Sequence, residues 1–209
     1  SFFENNNDFI GSFYDDSIKN LESTRSGLTL TKSVISNDKA NSSIMFGFNN
    51  EQNAILGAKT YGAFDQNEHS PTLFFSHSFE KKINENTDFS IISSIGRTQF
   101  NNYDNQTLIN HISPIISSSF GIVIGHEINN SENFRLTLSQ PHRLERGHAK
   151  ILIPQKTSID GTLNYESEKV SLTPSGRQID LSLRYNKSIL QDSLLFSIEN
   201  TITRNEGHI

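Results

Sequence analysis

Between Leu138 and Pro154 the chain reads LSQPHRLERGHAKILIP, which brings two histidines, a glutamate, two arginines, a proline and a glycine into a span where a hairpin needs only a short turn. His142, Glu145 and His148 are of the types that ligate zinc. The zincin arrangement, however, sets two histidines at i and i+4 on a helix with the glutamate between them. Here the spacing differs, and Pro141 and Gly147 oppose a helix. The many serines invite a Ser-His-Asp reading, yet no G-x-S-x-G elbow or other nucleophile context accompanies them. A solvated turn accounts for the histidines, and small strand positions account for the serines. No catalytic residue, metal site or cofactor is expected in this segment.

The elements around that stretch alternate with a period of two. GLTLTKSV aligns Leu28, Leu30 and Val34, with Lys32 interrupting; SIMFGF aligns Ile44, Phe46 and Phe48; TLFFSHSF aligns Leu73, Phe75 and Phe79. Phe89, Ile91 and Ile95 follow, then Phe120, Ile122 and Ile124, then Phe134, Leu136 and Leu138. Ile179, Leu181, Leu183 and Tyr185 form one late stripe and Leu194, Phe196 and Ile198 another. With AILGAKTYGAF and TLNYESEKVSL the count reaches about a dozen strands, joined by connectors rich in Asn, Asp and Ser that suit tight turns. The spacing predicts an all-β antiparallel meander occupying residues 1–209 as a single β-domain. The one helical hint, Ile18 and Leu21 within Asp15 to Ser26, is too weak to predict a helix.

Composition narrows the function classes. A net charge of −5, with Lys and Arg scattered among acids, argues against nucleic acid as a partner. The absence of cysteine removes disulfides, thiolate zinc and thiol catalysis. No window approaches the roughly 18 apolar residues that a membrane-spanning helix needs.

A polar average combined with an oily stripe on every strand is the pattern of a closed outer-membrane-type β-barrel, whose apolar residues face lipid and whose polar residues face a lumen. The mean hydropathy of −0.48 fits it. So do Arg135, Lys150, Asp180, Arg184 and Glu199, which recur mid-strand opposite the stripe. A soluble β-sandwich reverses the assignment and is the alternative. It gains from stripe length, since three outward residues cover only about 15 to 20 Å against an apolar band of about 25 Å. Periodicity leaves both open.

LTLSQPHRLERGHAKILIP, followed by VSLTPSGRQIDLSLRY and LLFSIENTITRNEGHI, resembles the C-terminal region of alphaproteobacterial, autotransporter-like subtilisin-family (S8) serine peptidases. The likeness is carried by Leu138, Ser139, Gln140, Pro141, Arg143, Glu145, Gly147, Ala149 and Pro154, and again by Pro174, Ser175, Gly176, Arg177, Ile179, Asp180 and Leu181. It covers about the last third of the chain.

The resemblance implies a non-catalytic C-terminal barrel, with its final strand missing here, that anchors or translocates an N-terminal passenger such as a protease. The implied partners are outer-membrane lipid, the barrel-assembly machinery and that passenger, at the outer membrane or cell surface of a Gram-negative bacterium. A secreted or periplasmic accessory module is the alternative. Within the motif, Pro141 is expected to stop the ladder and Gly147 to permit a bulge or positive φ. Arg143 or Arg177 is expected to pair with Glu145 or Asp180 at the rim or inside the barrel.

Overall fold

Strands form where the alternation predicts them. The computed structural model describes residues 2–4, 25–52, 69–100, 108–157, 159, 161, 163–189 and 194–209. The AILGAKTYGAF run and the weak helical spacing at Ile18 and Leu21 lie outside these residues. In chain order the strands are β1 (Phe2–Glu4), β2 (Arg25–Ser36), β3 (Ala40–Gln52), β4 (His69–Asn84), β5 (Thr87–Thr98) and β6 (Ile109–Ile112). They continue with β7 (Ile115–Asn129), β8 (Glu132–Arg146), β9 (His148–Thr157), β10 (Leu163–Ser171), β11 (Ile179–Ile189) and β12 (Leu194–Arg204). A nine-stranded sheet runs β1-β2-β3-β4-β5-β7-β8-β11-β12, and a three-stranded sheet runs β10-β9-β6. All pairings are antiparallel, and among the described residues β1 and β12 remain separate edges, so the sheet is open where a closed barrel was expected.

Directly opposed residues share a face, so lateral register carries the sequence stripe from strand to strand. One apolar row runs Phe79, Ile91, Ile122, Leu138, Leu181 and Ile202 across six neighbouring strands. Another runs Leu30, Phe46, Phe75 and Ile95, where the Phe46 and Phe75 rings stand 4.9 Å apart. The other face is laced by cross-strand hydroxyl pairs: Thr72 with Thr98 at 2.7 Å, Ser43 with Ser78 at 2.7 Å, Ser94 with Ser119 at 2.6 Å and Ser182 with Thr201 at 2.8 Å.

Burial is inverted relative to a soluble two-layer fold. On the apolar face Leu30, Leu73 and Ile202 are 66%, 63% and 68% exposed, whereas Thr98 and Ser117 on the polar face are each 1% exposed. The sheet coils toward the polar face. The Glu51 carboxylate of β3 acts electrostatically on His142 of β8, although four strand spacings of about 4.8 Å would hold them about 19 Å apart in a flat sheet. Asp38 and Lys39 of the β2–β3 turn likewise line one cavity of about 500 Å³ with Arg135 of β8.

Connections alternate in length along the meander. Residues 37–39, 85–86 and 130–131 close short turns at one rim, whereas at the other 16 residues of sequence separate β3 from β4, 16 separate β5 from β7 and 32 separate β8 from β11. Asparagine side chains close three of the short turns: Asn37 Oδ1 accepts the Ala40 N–H at 2.8 Å, Asn84 Oδ1 the Asn86 N–H and Asn129 Oδ1 the Ser131 N–H, both at 2.9 Å.

At the long-connection rim β6 and β9 continue β7 and β8 beyond a bend. Ile109, Ile112, Ile115 and Ala149 pack there with Leu144, Ile151 and Leu172 into a small apolar core. Gly147 sits at the bend with φ +155°, and a Cβ there would stand 3.1 Å from Ile115 Cγ1. Pro141 does not stop the ladder as expected. β8 continues to Arg146 because Pro141 and His142 form a bulge, with Gln140 opposite Phe120 and Arg143 opposite Ser118.

Phe74, buried on the polar face, lies flat over its cross-strand neighbour Gly47, where a Cβ would collide with the ring. Gly47→Val is expected to destabilise the fold by about 2 kcal/mol through overpacking. Adding Phe74→Ala should return part of that loss. Denaturant midpoints for the two single variants and the double variant test the contact; purely additive losses would show that the ring is not what excludes the side chain.

Candidate functional site

The motif segments that lie far apart in the chain converge at the long-connection rim. Gln140, Arg143 and Glu145 end β8; Pro174, Gly176 and Arg177 lie in the 172–178 connection into β11; and residues 205–209, which follow β12, fold over both. β8 brings its three side chains to one side because the bulge at Pro141 and His142 shifts the alternation by one residue.

Arg143 is the buried centre of the cluster, 8% exposed. Its Nε donates to the Gly176 carbonyl at 2.9 Å, Nη2 to the Pro174 carbonyl at 2.8 Å, and Nη1 to Glu145 Oε2 at 2.6 Å and the Leu144 carbonyl at 3.3 Å. Glu145 also receives Arg177 Nη2 at 2.9 Å and, on its other oxygen, the Ser118 hydroxyl at 2.7 Å. Arg177 Nη1 donates to Gln140 Oε1, and Gln140 Nε2 reaches the Ser118 carbonyl at 3.4 Å. Both arginines named from the sequence therefore share Glu145. Asp180 takes no part in that ion pairing; both of its oxygens accept from Gln178 Nε2 at 3.0 Å.

A second set of contacts clamps the segment after β12. His208 accepts the Gln178 N–H on Nδ1 at 2.9 Å, and its Nε2 lies 3.1 Å from the His142 carbonyl; that carbonyl can only accept, so Nε2 carries the proton. The Gly176 N–H donates to the His208 carbonyl at 2.8 Å, and Gly207 N–H to Gln178 Oε1 at 2.8 Å. This explains the glycine of the PSGR motif, because a Cβ on Gly176 would stand 2.6 Å from the Ile209 carbonyl oxygen. Ser175 is exposed and lies outside these contacts.

The arrangement is a clamp. Its guanidinium and carboxylate are occupied by one another and by backbone carbonyls, and no group of three or more candidate metal ligands occurs among the described residues. His148 lies past the Gly147 bend, its ring 6.3 Å from that of His111. Sequence reasoning missed Ser118, Gln178 and His208. Of these only His208 carried a signal, in the NEGHI ending that belongs to the same resemblance; Ser118 is one serine among many. No family model and no curated protein matches this chain.

Glu145→Gln leaves the buried Arg143 without its counter-charge and is expected to cost about 3 kcal/mol. Arg177→Gln, whose side chain is 47% exposed, is expected to cost under about 1 kcal/mol. Chemical denaturation of each variant tests the ranking, and equal losses would remove Arg143 from the centre of the cluster.

Proposed function

We propose that this chain is the wall of an outer-membrane β-barrel that anchors or translocates an exported N-terminal passenger and has no chemistry of its own. The observation that carries the reading is the inverted burial, an exposed apolar face backed by a covered polar one. Contiguous apolar surface on this scale marks a face that meets something other than water.

Two further features support it. Apart from the short β1, strands of the large sheet run 11 to 16 residues, enough for a tilted crossing that needs about 9 to 11. On β7 the apolar row runs Phe120, Ile122 and Ile124, and Ile116 resumes it beyond Ser118, whose hydroxyl is taken by Glu145. Short turns at one rim and long connections at the other match the asymmetry of outer-membrane barrels. The inner face also carries a charged row, Lys82, Asp88, Arg135, Arg184 and Glu199, closed on either side of Gly125 and paired at its end by Arg184 and Glu199 at 2.6 Å. Such a row suits a water-filled lumen.

On this reading the outer-membrane lipid, the barrel-assembly machinery and the passenger are the partners, and the cell surface of a Gram-negative bacterium is the location. A subtilisin-like passenger rests on the motif resemblance alone. The open edges at β1 and β12 favour a second reading, a secreted or periplasmic accessory module whose apolar face a protein partner covers.

Refolding with and without detergent micelles separates the two. A membrane wall is expected to give a cooperative β-type circular dichroism transition only in micelles and to migrate heat-modifiably on a gel. In the micelle-folded protein, Ile122→Arg on the apolar row should cost about 2 to 4 kcal/mol and Thr137→Arg on the inner face far less. A monodisperse fold in plain buffer would move the assignment to the accessory module.

A further inference from the structure

The three-stranded sheet carries a row of basic residues that the rim clamp does not use. In register across it stand His111 of β6, Lys150 of β9 and Lys169 of β10, and His148 lies beside them with its ring 6.3 Å from His111. Directly opposed like charges in an antiparallel pair destabilise it, so Lys150 opposite Lys169 is a local cost that an anion would remove. Neither lysine side chain has a hydrogen bond or ion pair among the described residues, and both are exposed. The acids of the same strand, Glu166 and Glu168, alternate onto the opposite face, opposite Ile153 and Ile151.

The charges acting on His148 are all positive. Its pKa is lowered, first by lost hydration and then by Lys169, His111 and Lys150.

The position of the row points to an occupant. Ala149 and Ile151, on the opposite face of β9, pack into the core with Ile115 and Leu144, which belong to the polar side of the large sheet. The basic row therefore stands on the side that continues the exposed apolar face, beyond its end at the long-connection rim. Arg97 and Arg146 lie on that side of that rim too, both exposed, in one row with Ile116 between them. Oily rows ending in basic side chains, Lys150 and Lys169 beyond them and Arg97 and Arg146 beside them, match a bilayer, where acyl chains give way to headgroup phosphates.

We propose that Lys150 and Lys169, with His148 beside them, form a phosphate-binding site that takes the headgroup phosphate of a membrane lipid. The lipid as source rests on the barrel reading; the phosphate chemistry does not. Each lysine near such a surface is worth about fivefold in affinity, so losing both costs about twentyfold or more.

The test is a native mass-spectrometry titration of the micelle-folded protein with phosphatidic acid, phosphatidylcholine and inorganic phosphate, comparing wild type with Lys150→Gln/Lys169→Gln. Circular dichroism verifies that the double variant, altered only at exposed positions, still folds. Saturable binding of phosphatidic acid that the double variant weakens at least tenfold, with phosphatidylcholine unaffected, supports the site and the lipid source. Equal affinity for inorganic phosphate, lost in the same variant, upholds the site and overturns the lipid source. Equal binding by both proteins overturns the site. If the chain folds only in plain buffer, the barrel reading fails, and the phosphate titration of the same two proteins in buffer decides the site by itself.

Discussion

Lateral register is the constraint on which this protein depends. Each strand alternates with a period of two, so a one-residue slip between any pair would carry its apolar side chains to the polar face and its serines to the other. The row from Phe79 to Ile202 exists because every pairing along it keeps the same parity. Asparagine-closed turns set that parity at one rim, and hydroxyl pairs such as Thr72 with Thr98 hold it along the strands. Phe74 over Gly47 adds a steric key, because the ring has room only beside a residue without a Cβ.

At the opposite rim turns are long and cannot set register, and the Arg143 cluster stands there instead. A buried guanidinium is expensive unless its donors are matched, and here three carbonyls and one carboxylate match them. Two of those carbonyls belong to the connection into β11, so satisfying Arg143 fixes where that strand begins relative to β8. His208 extends the same logic to the chain after β12 by bridging Gln178 and His142. Removing Glu145 would leave the buried Arg143 without its counter-charge, so those two residues stand together.

The two faces that register creates divide the functional roles. The polar face is small and hydroxylated, carries a charged row near the short turns and is partly covered. The apolar face is the exposed one, and beyond its end at the long-connection rim stand the basic residues His111, Lys150 and Lys169. On the proposed function, the apolar rows of the large sheet would meet lipid and the basic row of the three-stranded sheet beyond them would meet phosphate.

Alternation in windows such as NFRLTLS and IDLSLRY determined the strands, because period two is a local property that needs no partner to be visible. Asn-rich connectors marked the turns for the same reason, and the QPHRLE and PSGR segments could be singled out by resemblance. Three matters were decided only in tertiary structure. Whether Arg177 also met Glu145 depended on the connection into β11 folding back over β8, a contact across 32 residues invisible in one strand; both arginines reach it. The strand Ile109–Ile112 carries too few residues for a periodic signal and exists because β9 pairs with it beyond the bend. Which stripe is covered follows from the direction in which the whole sheet coils, and a period of two, symmetric between faces, carries no sign of that direction.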